Sequence, residues 1–209
     1  MNLSNINHIA TDELLRRLRE TRLKGFGQPL VYEHATLELA EAVETDRLVP
    51  AQRYVLRESV ERILSLRAAL LLGGTDIFAL DGGLLLGFED EPGAKIPLLP
   101  PIIEESREPG GRTVWLINDG MHRVYTARKS GLPINVVLAR GVPEDYPYYA
   151  YALERGWDDV QELDELPDNF LKKTYRNPDN YKSLFRDFNA VFPRIQEQRK
   201  QSNPAHIRA

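Results

Sequence analysis

Six consecutive residues, Asn118, Asp119, Gly120, Met121, His122 and Arg123, hold the densest chemistry in this sequence. They lie between a β-branched and aromatic run at 113–117, which reads as an inner strand, and a short helix at 121–130 that ends at Gly131. A helix that starts directly from a strand end leaves its first N–H groups without intrahelical acceptors, and their partial positive charge suits an anion. Gly120 has no Cβ, so a phosphate can come close to the backbone there. His122 and Arg123 fall on the same first turn. The guanidinium can grip phosphate oxygens as a fork, and the imidazole can donate or shuttle a proton. Asp119, at the strand end, is placed to hold Mg²⁺ against phosphates or to take a proton. A plain Asp-Gly turn with a solvent-exposed His-Arg pair fits the same six residues.

Other candidates carry less. Arg53 and Arg57 reach a phosphate at this loop only if the helix they precede points at it. His8, His34 and His206 show no ligand spacing, so a metal site built on histidine is not expected. Gly73-Gly74 and Gly82-Gly83 lack a following Gly-Lys-Ser/Thr and read as turns, not as a Walker loop. Tyr146, Tyr148, Tyr149 and Tyr151 could stack bases, although half-buried packing of a helix is the plainer reading. Arg194, Arg199, Lys200 and Arg208 read as a solvated basic face. There is no cysteine, which excludes disulfides, thiolate metal sites and thiol catalysis.

The elements that must position the loop follow from periodicity and breakers. Residues 11–24 form an amphipathic helix, with Leu14, Leu15 and Leu18 on one face and Thr11 as N-cap. Residues 30–43 read as a short strand and then a helix from Thr36. A helix spans 57–72 and stops at Gly73-Gly74. Residues 76–80 and 84–88 suggest a hairpin about Asp81-Gly82-Gly83, and 89–101 a loop. Ile102-Ile103 adds a short strand, and 134–139 another. Residues 146–157 have helical character, and Asn177 with Pro178 opens a helix expected to run to about Lys200.

Composition sets outer limits. The chain has 209 residues, enough for one domain with additions and a substantial core. Its net charge of −4 makes the whole chain no electrostatic magnet for nucleic acid, though a local basic patch remains open. The N-terminus has no secretory pattern, and no apolar run approaches a membrane span. The expectation is a cytoplasmic protein without membrane contact.

Residues 114–139, with an apolar strand, Asp-Gly-x-His-Arg at 119–123, a short helix containing Ala127, Gly131 and a following strand, resemble the core of the ParB/sulfiredoxin superfamily. Pro50-Ala51-Gln52-Arg53 resembles the Pro and Gln/Arg box before the first core helix of ParB-type domains. Pro100-Pro101-Ile102-Ile103 resembles the strand that precedes the motif. The resemblance covers about residues 46–142. It implies nucleotide binding by this loop, with Gly120, His122 and Arg123 on the phosphates and Asp119 near a metal or the transferred group. Sulfiredoxins carry a reactive Cys where Met121 stands here, so their chemistry is excluded. Chromosome-partitioning ParB proteins read Gly-Glu-Arg-Arg at the loop and carry a helix-turn-helix afterwards, and neither is evident here. The free serine kinase branch, with Asp-Gly-His-His-Arg, is closest in the loop. Its members use an acid near the start of the first core helix as base, where this chain has Gln52, with Glu58 or Glu61 as possible substitutes.

These readings combine into an α+β fold: a ParB/sulfiredoxin-like small mixed sheet with flanking helices. An N-terminal helical segment covers 1–45, the nucleotide-binding core 46–142, and a helical C-terminal extension 143–209. The expected function is nucleotide binding (ATP, ADP or CTP) with Mg²⁺ held by Asp119. The expected activity is phosphoryl transfer to a small acceptor or nucleotide hydrolysis, with Asp119 and His122 catalytic and Gly120, His122, Arg123 and Arg53 on the phosphates. The alternatives are a ParB-like DNA-binding protein or nuclease, and a non-catalytic ligand-binding partner.

Overall fold

The computed structural model describes residues 3–89 and 91–195. In chain order the elements are β1 (Leu3–Ile9), α1 (Thr11–Leu18), β2 (Thr36–Val43), β3 (Leu48–Val49), β4 (Tyr54–Leu56), α2 (Arg57–Leu71), β5 (Gly83–Phe88), β6 (Glu91–Leu98), β7 (Ile102–Arg107), β8 (Thr113–Asp119), α3 (Met121–Lys129), β9 (Ile134–Arg140), β10 (Gln161–Leu163) and α4 (Phe188–Val191). A mixed five-stranded sheet runs β2-β9-β7-β8-β3. The pairs β2–β9 and β7–β8 are antiparallel, and β9–β7 and β8–β3 are parallel. A smaller antiparallel sheet runs β1-β5-β6, and β4 pairs with β10 in parallel. This is the α+β architecture with a small mixed sheet that the sequence led us to expect.

The central sheet separates two cores, and strand alternation decides which residue enters which. Ile102, Leu116, Val137 and Ala139 face a core built with Leu14 and Leu18 of α1, Tyr32, Tyr148, Phe188 and Phe192. Their neighbours Ile103, Ile117, Val136 and Leu138 face the opposite core, shared with Val60 and Leu70 of α2, Val124 and Ala127 of α3, and Leu84 and Leu86 of the small sheet. Burial on both faces explains the nearly unbroken apolar run of β9.

Several expectations change. Residues 36–43 form strand β2, because antiparallel pairing with β9 captures them; they do not form a helix. The N-terminal segment therefore holds β1 and β2 besides α1, and β2 belongs to the same sheet as the loop strand. Residues 76–80 are not a strand. Asp76 turns the chain there by accepting the Phe78 N–H at 3.0 Å, and β5 pairs instead with β1 and with β6, which occupies the expected loop. Thr11 does not act as the N-cap of α1, a position taken by Ala10; its hydroxyl donates to the Asp81 carbonyl.

The C-terminal third is mostly irregular where described, not helical. Pro143 and Pro147 break the helical character expected near the tyrosines. Residues 149–151 instead run antiparallel to 174–176, with Tyr151 N–H donating to Thr174 O and Arg176 N–H to Tyr149 O, both at 2.9 Å. The helix expected from Asn177 breaks into a 3-10 turn, Tyr181–Leu184, and the single turn of α4, Phe188–Val191. Between them the chain bends so that Arg186 enters the core. The remainder of that expected helix, together with His206, Arg199, Lys200 and Arg208, lies outside the described residues.

Candidate functional site

Strand β8 ends at Asp119 paired with Ile102, and α3 starts at Met121 after Gly120 in the left-handed region at φ +83°. The strand-to-helix junction anticipated at 118–123 is thus present. No side chain caps α3, and the first N–H groups of a helix have no acceptor in the preceding turn. The bare face of Gly120 is not open to a ligand. A Cβ there would lie 2.8 Å from Pro101 Cβ and 3.0 Å from Pro101 Cα, so the glycine lets the Pro100-Pro101 segment pack against the turn. This corrects the expected reason for glycine at this position.

Each polar side chain of the loop has a defined engagement. Arg123 turns inward, 9% exposed, and donates to the Leu99 carbonyl, with Asp119 Oδ2 3.7 Å from its Nη2. Burial pulls the affinity of its guanidinium for its proton down, and Asp119 partly restores it. Arg123 therefore braces the strand entry at Leu99, a role its position in the sequence does not reveal. His122 reaches the start of the neighbouring helix, where its Nε2 accepts the N–H of Leu56 at 3.2 Å. That bond needs a neutral ring with its proton on Nδ1. Leu56 is the N-cap residue of α2, which also has no side-chain cap. His122 thus joins the two helix starts, and the uncapped first turns of α2 and α3 lie side by side.

The other predicted residues separate. Gln52 is buried and donates from Nε2 to Tyr54 O at 2.8 Å. Glu58 sits exposed in the first turn of α2 and pairs with Arg62. Arg57 lies 3.2 Å from Asp164 and 3.5 Å from Glu162. Arg53 does not join the loop: it reaches Thr174 Oγ1 at 3.4 Å and lines a cavity of about 290 Å³ with Glu108, Pro109 and Arg112, at the β7–β8 turn. The β7–β8 pairing puts that turn at the far end of β8 from Asp119. The tyrosines pack, but not on the helix that the plainer reading expects: Tyr148 and Tyr149 are buried, with Lys173 between their hydroxyls at 2.9 and 2.5 Å.

A buried ionic network behind the loop was not anticipated. Glu104 of β7 accepts from Arg186 Nε and Nη2, both at 2.8 Å, from Tyr32 Oη at 2.6 Å and from Asn118 Nδ2 at 2.5 Å. Arg186 also donates to the carbonyls of Tyr146, Pro147 and Leu184. Burial opposes the charge of Arg186, but Glu104 and Tyr32 more than hold it, and its proton affinity rises. Tyr32 is pushed well above its ordinary range, first by burial and then by the Glu104 charge. Asn118, one residue before Asp119, is fixed by this network, and its carbonyl accepts from Tyr148 Oη at 3.3 Å. The only hint in the sequence is a glutamate pair, Glu104-Glu105, in an otherwise strand-like run; nothing there names Arg186 as the partner.

Among the described residues no group of three or more His, Cys, Asp or Glu side chains could hold a metal ion by itself. No described helix is long and apolar enough to cross a membrane.

Comparison with known proteins gives a family model, described as the ParB CE domain, that matches residues 13–161. No curated protein matches the chain. Among solved structures, the crystal structure of protein Atu1540 from Agrobacterium tumefaciens is similar, at 18% identity and a TM-score of 0.31. The match covers 62% of this chain and 64% of that protein, so it spans less than two thirds of the latter.

Proposed function

This chain belongs to the ParB CE domain family, and from that premise we propose that it binds a nucleotide whose phosphates sit where α2 and α3 begin. One observation carries the reading: His122, in the first turn of α3, holds the N–H of Leu56 just before α2, so two uncapped helix starts adjoin. Each such end carries roughly half a positive charge, and two together suit a polyphosphate better than either alone. The grip comes from backbone N–H groups and from His122, while Arg123 keeps the loop in shape.

Mg²⁺ fits as a shared ligand. Asp119 offers one carboxylate, loosely held by Arg123 at 3.7 Å. Magnesium usually takes one or two carboxylates and completes its shell with phosphates and water. When bound, the cation would offset negative charge on the phosphates. Catalysis of phosphoryl transfer rests mainly on position and charge. In this reading the helix starts orient the phosphates, and Glu58, exposed at the first turn of α2, supplies the base that Gln52 cannot. The reaction is transfer to a small acceptor or hydrolysis of the nucleotide.

A second reading, nucleotide binding without turnover, is favoured by the same Gln52, which is buried and spent on Tyr54 O. Calorimetry with ATP, ADP and CTP, each with Mg²⁺, tests both. Saturable heat with at least one nucleotide is expected, and none from a folded preparation sinks the proposal. Asp119→Asn and Glu58→Gln should spare binding and stop product formation if the protein is an enzyme. A wild-type chain that binds but yields no product is the second reading.

A further inference from the structure

A second cavity adjoins the Arg53 cavity at the β7–β8 turn. It measures about 520 Å³ and shares Glu108, Pro109 and Tyr151 with the smaller one of about 290 Å³, so the two lie side by side and are taken together as one cleft. We propose that this cleft is a binding site, separate from the nucleotide loop, for a small molecule bearing a phosphate or carboxylate, with Arg53 and Arg112 as its anion grip.

The charge distribution carries the argument. Four arginines line the cleft, Arg53 and Arg112 in the smaller cavity and Arg107 and Arg176 in the larger; the larger also holds Glu144, paired with Arg107, Glu104, paired with Arg186, and Glu105, 3.9 Å from Arg140. Glu108, the buried carboxylate between them, is already satisfied. It accepts from Arg176 Nη2 at 2.5 Å, from Ser106 Oγ at 2.8 Å and from Ala152 N–H at 3.2 Å. Its charge is therefore not available to Arg53 or Arg112. The other carboxylate of the smaller cavity, Glu154, is exposed. Asp159 feels the charge of Arg53, but Arg155 binds it directly at 2.6 Å. The smaller cavity thus keeps two guanidinium groups beside a neutralised carboxylate.

A second observation points the same way. The Nε–H groups of Arg53 and Arg176 are both buried without a hydrogen-bond partner. A buried donor left unmade is costly, and native structures seldom keep two of them together. Among the described residues, the Arg53 guanidinium makes one hydrogen bond, a long one of 3.4 Å from Nη2 to Thr174 Oγ1. The planar guanidinium carries Nε–H and one Nη–H along a single edge, the paired arrangement that matches an oxyanion. The Tyr151 ring, with the Arg176 guanidinium 4.4 Å from its centroid, forms the shared wall along which the rest of the ligand would lie.

The test follows arginine Nε–H signals of the full chain by nitrogen-edited NMR while inorganic phosphate, and separately acetate, is added. Saturable shifts of the Arg53 and Arg176 signals are expected. Arg112→Gln, a change at an exposed turn position, should weaken them about tenfold or more, the effect of losing one charge-assisted hydrogen bond. His122→Ala should leave them unchanged, which separates this site from the nucleotide loop. A response to phosphate alone assigns a phosphate-bearing ligand, and a response to acetate extends the class to carboxylates. No saturable shift with either anion overturns the proposal. So does a shift that survives in Arg112→Gln and vanishes in His122→Ala.

Discussion

Gly120 combines φ +83° with Pro101 atoms at 2.8–3.0 Å from where a Cβ would be, so a side chain there is opposed both by the backbone and by its neighbour. Gly120→Ala should destabilise the protein by about 1–3 kcal/mol, the usual cost of a strained backbone conformation, read from the urea midpoint. The cost should appear whether or not a nucleotide is present, because the clash is internal. A larger penalty belongs to the network behind the loop. Arg186 and Glu104 are almost fully buried, and removing one charge strands the other. Arg186→Ala should cost about 3–5 kcal/mol, measured by denaturant unfolding. Replacing both with well-packed apolar residues should recover much of that loss.

At the scale of elements, the short β4–β10 pair is tied to α3 through Glu162. That carboxylate accepts from Lys129 Nζ at 2.7 Å and from Tyr125 Oη at 3.1 Å. Lys129, and after it Tyr125, hold the Glu162 carboxyl below its ordinary range, and the same contact raises Lys129. A carboxylate with a lowered folded pKa adds stability above its unfolded value, about 4.3, and loses it as pH falls through the folded value. Glu162→Gln should therefore flatten the acid limb of stability below about pH 4.3. The difference should be small because Lys129 is half exposed and salt screens the pair. Thermal melts from pH 6 down to pH 2.5, at low and high salt, give the slope. An unchanged acid limb in the variant would rule the pair out as its source.

Across the whole molecule, the C-terminal third is part of the core. Tyr148, Leu184, Phe188 and Phe192 fill one side of the central sheet together with α1, and Arg186 neutralises Glu104 from that side. A chain ending at residue 142 should fail to unfold cooperatively, because it exposes one face of β9 and β7 and leaves Glu104 buried without a cation. Circular dichroism melting of that truncated chain checks this. A sharp transition like that of the full chain would show that the first 142 residues fold alone.

The local unit around the loop was legible from residue types and short spacing. The apolar strand before Asp119, the break at Asp119-Gly120, the short helix from Met121 and the apolar strand after Gly131 each follow from a few neighbouring residues. The ParB-type resemblance rests on the same unit. What the sequence could not supply was anything fixed by distant pairing. Strand β2 became a strand because β9 lay beside it, and β5 found β1 and β6 in place of residues 76–80. Arg123 turned inward because Leu99 offered a carbonyl, and Arg53 left the loop for Thr174, 121 positions away. Glu104 and Arg186, 82 positions apart, reveal nothing of each other in sequence. Local backbone preference and periodicity are written residue by residue, whereas the partner of a buried charge is chosen only when the sheet closes and burial makes an unpaired charge too costly to keep.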